Sequence, residues 1–198
     1  CYAALGTDTG GSVRIPASCC GIVGMKPTFG RISKYGIFPL SWSLDHVGPM
    51  TRTVEDNAIV LGALSGHDAR DPYSVRRETE DFTRHLNQGI KGSVVGVPSS
   101  FYFENVEEEV RAMVNRAIEV FRDLGATIHE VEMPHSEEIL AAQRVVLASE
   151  AFTVHEKRLR GQPEQFEEEV RDRLLIGEAI RAYEYIQAQQ VKRLAVQA

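Results

Sequence analysis

Gly6-Thr7-Asp8-Thr9-Gly10-Gly11-Ser12-Val13-Arg14-Ile15-Pro16 packs three glycines, two threonines, a serine and an Asp/Arg pair into eleven residues. Glycines without side chains let the backbone turn tightly and leave amide N–H groups open to a ligand. A serine closing such a turn has its hydroxyl beside several N–H donors. That arrangement suits a nucleophile whose attack creates an oxyanion, because preorganised donors stabilise charge as it develops. Ser12 is the candidate nucleophile on this reading. A plain surface turn has the same composition and stands as the alternative.

Two better-known loops fit less well. Gly6 and Gly11 have the G-x-x-x-x-G spacing of a phosphate cradle, but Ser12 stands where its lysine should follow. The G-x-S-x-G elbow of esterases fails as well, since Arg14 takes the place of its last glycine.

Working outward, the run Ala4 to Ser18, followed by Cys20-Gly21-Ile22-Val23-Gly24-Met25-Lys26-Pro27-Thr28, closely resembles the amidase signature family. The likeness continues through Gly30-Arg31-Ile32-Ser33, Gly36, Pro39, Ser43-Leu44-Asp45, Gly48-Pro49-Met50-Thr51-Arg52-Thr53-Val54 and Asp56. It fades after about Asp71 and returns in Gly177-Glu178-Ala179-Ile180 and Tyr185. The resemblance implies an α/β fold with a mixed β-sheet flanked by helices. It matches Ser12 to the acyl-accepting serine and the backbone N–H groups of Thr9, Gly10, Gly11 and Ser12 to the oxyanion hole. Asp8 and Arg14 match the charged pair that braces the loop.

The family's base is a neutral lysine acting through a second serine on a cis peptide bond, and both lie upstream of the nucleophile loop. Their places would fall before Cys1. With a helix still running at Ala198, the chain is therefore expected to be an internal piece, residues 1–198 of a partial amidase domain. The nucleophile and oxyanion loop would span 6–16 and a helical extension about 136–197. A serine without a base is a poor nucleophile, so the piece alone is expected to be inactive.

The implied activity is hydrolysis of a small-molecule carboxamide with no cofactor and no metal. The A subunit of the glutamyl-tRNA(Gln) amidotransferase, which frees ammonia from glutamine for partner subunits, is the alternative. Phe38-Pro39-Leu40-Ser41-Trp42-Ser43-Leu44-Asp45 looks more like the stand-alone amidases, whereas Gly66-His67-Asp68 and Leu124-Gly125-Ala126 also occur in the tRNA-linked branch. A non-catalytic module that kept the fold is a third reading, opposed by the joint presence of Asp8, Gly10, Gly11, Ser12 and Arg14. An N-terminal nucleophile built on Cys1 conflicts with the resemblance, which places Cys1 inside a longer chain.

Composition narrows the classes further. Hydrophobic residues at 43% with 25% charged describe a globular chain able to bury a core. A net charge of −6 argues against a direct nucleic-acid site, since phosphates want a basic face. No apolar run has the length of a membrane span. Three cysteines form no disulfide framework, and free thiols suit the cytoplasm.

The rest of the chain reads as follows. Residues 1–5 lead into the loop as a helix end or short strand, and Pro16 and Pro27 argue against a helix after Ser12. Cys20 to Met25 reads as a strand or tight crossing, and Phe29 to Gly48 as an irregular loop whose Tyr35, Phe38 and Trp42 are candidates to line a pocket. Asp45 is expected to bond loop backbone rather than pair with His46, and Lys26 to be structural.

Thr53 caps a helix ending at Ser65-Gly66, and a short helix is expected around Asp81–Leu86. Gly92–Pro98, a helix from about Val106 to Gly125 and Thr127–Val131 form a strand-helix-strand unit with parallel strands. Helices follow at about 136–160, 164–180 and 181–197. His129, Glu130, Glu132 and His135 are read as solvated surface rather than a metal cluster.

Overall fold

A computed structural model describes residues 1–197. It is α/β, with its strands in two small sheets. Strand β1 (Ala3–Asp8), helix α1 (Arg14–Cys20), strands β2 (Val23–Gly24) and β3 (His46–Thr51) and helix α2 (Val54–Leu64) come first. Strand β4 (Val94–Pro98), helix α3 (Glu108–Asp123) and strand β5 (Thr127–Val131) follow, then helices α4 (Ser136–Gly161), α5 (Glu168–Leu175) and α6 (Ala182–Gln197).

Strand β3 runs up the middle of the first sheet, in the order β1-β3-β2, antiparallel to both neighbours. The loop reading of Phe29–Gly48 therefore ends too late, because Gly48 and Pro49 disguise a strand. Proline fits there for a specific reason. Its carbonyl accepts from Met25 N–H at 3.1 Å. In a strand, a residue's N–H and C=O point to the same side, so the missing donor also faces away from β1. The named pairs of β2 reach only Met50 and Thr51, so proline forfeits just the reciprocal of the Met25 bond, where the ladder ends.

Gly48 lies opposite Gly6 in this sheet. A Cβ at Gly48 would stand 2.2 Å from the carbonyl oxygen of Met25, a backbone atom with nowhere to go. Gly48→Ala is expected to cost about 1–3 kcal/mol by overpacking, read as a lowered thermal midpoint of the intact protein. An unchanged midpoint would mean that β2 and β3 are less tightly paired than described.

Helix α1 forms in spite of Pro16, correcting the expectation that proline would forbid it. Pro16 is the third helical residue, where the first four amides have no partner inside the helix and its missing donor goes unnoticed. Gly21, at φ 63°, closes the helix in the left-handed region. Thr53 caps α2, its Oγ1 accepting from Asp56 N–H at 3.1 Å, a bond worth about 1 kcal/mol. β4 and β5 pair in parallel across α3, as the strand-helix-strand pattern predicts.

Two expectations fail in detail. Residues 81–86 are turns rather than a helix, with Asp81 spending its carboxylate on the amide and hydroxyl of Thr83. The single helix expected over 164–180 is a 3-10 turn at Pro163–Gln165, then α5, then a 3-10 turn at Ile176–Ala179. Gly177 sits in that second turn, where a Cβ would stand 2.1 Å from the carbonyl oxygen of Ala148 in α4, so no side chain fits.

The core is a set of small clusters. Ile32, Val47 and Leu61 join the first sheet to α2. Ala142, Val146 and Ala188 join α4 to α6, and Ala151, Leu159 and Leu174 join α4 to α5. α4 is thus the spine to which the loop region and both later helices are fixed.

Candidate active site

Strand β1 ends at Asp8, and residues 9–13 connect it to α1. Asp8 is wholly buried. Its Oδ2 accepts from Arg14 Nε at 3.0 Å and from the amides of Val13 and Arg14 at 3.3 and 3.4 Å. Oδ1 accepts from Arg14 Nη2 at 3.1 Å, and Lys26 Nζ stands 3.7 Å away. Burial works against the charge on Asp8. The hydrogen bonds and charge of Arg14 and the charge of Lys26 outweigh it and hold the carboxyl down at about 2. The bond to Asp8 raises Arg14, and burial lowers Lys26. Lys26 is thus spent on the carboxylate that ties down the loop.

The loop itself has an open face. Ser12 is exposed and its Oγ makes no hydrogen bond among the described residues. The amides of Thr9, Gly10, Gly11 and Ser12 donate to no protein acceptor among those residues either. Gly11 has φ 140°, in the region that favours glycine, and a Cβ there would meet Ile15 at 2.6 Å. Gly10 faces Gln143 and Leu147 of α4. Val13, directly after Ser12, is fully buried. An anchored residue on either side of an exposed hydroxyl therefore fixes where that hydroxyl points.

Asp45 and His46 do not pair. Asp45 accepts from the amides of Leu40 and Ser41 at 2.9 and 3.0 Å, and from Thr9 Oγ1 at 2.6 Å. His46 donates Nδ1–H to the Leu44 carbonyl at 2.6 Å, and burial pushes its pKa down. A cavity of about 320 Å³ opens beside β1, lined by Thr7, Lys34, Tyr35, Trp42 and Tyr73 among others. Tyr35 and Trp42 sit there as the sequence suggested. Phe38 does not, and packs instead on His155 at 5.6 Å between ring centroids. Ser12 is not in the cavity lining.

A family profile described as Amidase matches residues 1–198. The chain belongs to the amidase signature family. It is 45% identical to an amidase of Pseudomonas putida over 194 residues, covering 98% of this chain and 42% of that one. It is 41% identical to the A subunit of the glutamyl-tRNA(Gln) amidotransferase of Ligilactobacillus salivarius (strain UCC118), over 88% of this chain and 40% of the other. Among solved structures it superposes with a TM-score of 0.92 and 36% identity on a protein described in connection with the evolutionary origins of an s-triazine catabolic enzyme, covering 98% of this chain and 42% of that one. The chain spans about two fifths of the length of these relatives.

Within this amidase-family chain, the residue that sequence reasoning missed is Glu150. It lies in α4 with 1% of its surface exposed. Four donors from two distant parts of the chain reach its carboxylate: Ser41 Oγ at 2.6 Å, Ser43 N–H at 3.0 Å, Ser43 Oγ at 2.7 Å and Tyr185 OH at 2.9 Å. One signal was available. Glu150 is a lone carboxylate in the otherwise uncharged stretch Val145–Phe152, and a buried charge survives only when it is well paired.

Lys34 was also missed. Its ammonium lies 4.4 Å from the Phe29 ring centre and 4.6 Å from that of Tyr73, donates to the Trp42 carbonyl at 2.5 Å, and is lowered in pKa by burial.

Proposed function

We propose that Ser12 is the nucleophile of an amide hydrolase, attacking a carboxamide carbonyl whose oxygen is received by the N–H groups of Thr9, Gly10, Gly11 and Ser12. The observation that carries this reading is the pairing of an exposed, unbonded hydroxyl with four neighbouring amides that have no protein acceptor among the described residues. Such donors stabilise the tetrahedral intermediate at no reorganisation cost. Asp8 and Arg14 brace the loop from below. Ammonia or an amine leaves, and water then releases the acid from the acyl-serine.

No basic side chain among the described residues is hydrogen-bonded to Ser12. On the resemblance to the family, a lysine acting through a second serine, both upstream of the loop, supplies the base. The 198-residue chain alone is accordingly expected to show negligible hydrolysis. A reducing, cytoplasmic setting fits the exposed free thiols of Cys1, Cys19 and Cys20.

The similarity to amidotransferase A subunits supports a second reading, in which the amide is glutamine and the ammonia passes to partner subunits. One experiment tests the reaction and separates the two. The intact protein is offered simple carboxamides and glutamine, with and without amidotransferase partner subunits, while ammonia is measured and the acyl-enzyme is trapped and mapped by mass spectrometry. Turnover of simple amides alone, with the adduct on Ser12, is the expected result. Turnover of glutamine only with partners selects the second reading, and an adduct on another residue overturns both.

A further inference from the structure

Ser41 joins Glu150 to a second buried carboxylate. Its hydroxyl donates to Glu150 at 2.6 Å, and its amide donates to both oxygens of Asp45 at 3.0 Å. Asp45 Oδ1 in turn accepts from Thr9 Oγ1 at 2.6 Å. Thr9 opens the run of amides that faces Ser12. All four residues are 5% exposed or less, so water does not compete for any bond in the chain. From the other side, Lys192 of α6 donates to the Ser43 carbonyl at 2.8 Å, and Lys34 holds the Trp42 carbonyl. The tripeptide Ser41–Ser43 is therefore clamped at every residue, and Glu150 takes three of its donors.

We propose that Glu150 is a positioning residue for the loop at Thr9–Ser12, acting through Ser41 and Asp45. The proposal rests on the reading of those amides as an oxyanion hole. A carboxylate buried merely to glue α4 to a loop is a poor choice, because an apolar residue of the same volume does as well or better. Directional bonds do what apolar contact does not. They fix the Ser41 rotamer, the carboxylate plane of Asp45 and the χ1 of Thr9, and with these the direction of the amides beyond it. Displacing one oxyanion donor typically costs about 10²–10³-fold in rate, so a loosened loop is expected to show in kcat.

The test is a double-mutant cycle in the intact enzyme. Glu150→Gln keeps the shape and removes the charge; Thr9→Val keeps the volume and cuts the last link. Each alone is expected to lower kcat about 10- to 100-fold with KM changed less than about threefold. The double variant is expected to match the worse single, because both break one chain. A purely structural Glu150 gives the product of the two single effects, or a kcat left at wild type, and either result overturns the proposal.

Should Glu150→Gln give no soluble protein, the same cycle with Ser41→Ala replaces it and is read identically. Failure of the underlying reading looks different: Ser12→Ala would then retain turnover. An inactive Ser12→Ala with independent, multiplicative Glu150 and Thr9 effects sinks the positioning role alone.

Discussion

Ser12→Ala is expected to lower kcat for amide hydrolysis by the intact protein by on the order of 10⁴–10⁶-fold, the scale seen when a serine nucleophile is removed. KM is expected to stay close to wild type, because the hydroxyl contributes to bond formation rather than to holding the ground state. Stability should change by less than about 0.5 kcal/mol. Ser12 is exposed and its Oγ bonds to no described residue, so the substitution leaves no buried group stranded. This separation between a large kinetic effect and an unchanged fold is what distinguishes a nucleophile from a loop brace. Steady-state kinetics with a continuous ammonia assay, alongside a thermal unfolding curve, measure both. A loss under tenfold, at unchanged stability, would place the attacking atom elsewhere and reduce the glycine loop to a turn.

The loop was legible in the sequence because its chemistry is local. Gly10, Gly11 and Ser12 announce a tight turn wherever they stand, and the unit from Val94 to Val131 declares itself by alternation, helical period and a stop at Gly125. What stayed hidden depends on partners far along the chain. Nothing near Pro49 says that its carbonyl side faces a strand only two residues long, and without that knowledge a proline reads as a break. Pro16 misled in the same direction, since whether a proline ends a helix or sits in its first turn is decided by where the preceding turn closes. Glu150 is the clearest case. Its donors lie 109 residues back at Ser41 and 35 ahead at Tyr185, and no spacing rule connects them. The reading of Asp45 as a bonder of loop backbone matches the structure, because an Asx-type carboxylate finds amides within a few residues. Its bond to Thr9, across 36 residues, was the part no local rule supplies.

Asp8→Asn is expected to destabilise the intact protein by about 2–4 kcal/mol at pH 7 and to lower activity with it. The carboxylate is fully buried and accepts from Arg14 through both oxygens, whereas an asparagine must turn its NH₂ group toward the guanidinium or toward the loop amides. Arg14 is itself half exposed and recovers some solvation, which keeps the cost from the top of the range for a broken buried pair. The pH dependence carries the sharper test. The folded-state pKa of Asp8 is depressed to about 2, below its unfolded value of about 3.9. A depressed carboxyl contributes stability that is fully present above the unfolded pKa and disappears as pH falls through the folded one. The contribution, on the order of 2 kcal/mol, is therefore complete above about pH 5 and is lost between about pH 4 and 2. Urea midpoints of wild type and Asp8→Asn should differ most at neutral pH and converge as pH falls below about 4. A gap that stays constant down to pH 3 would mean that the shape of the side chain, and not its charge, holds the loop. The ion pair beneath Ser12 would then have no electrostatic part in presenting the hydroxyl.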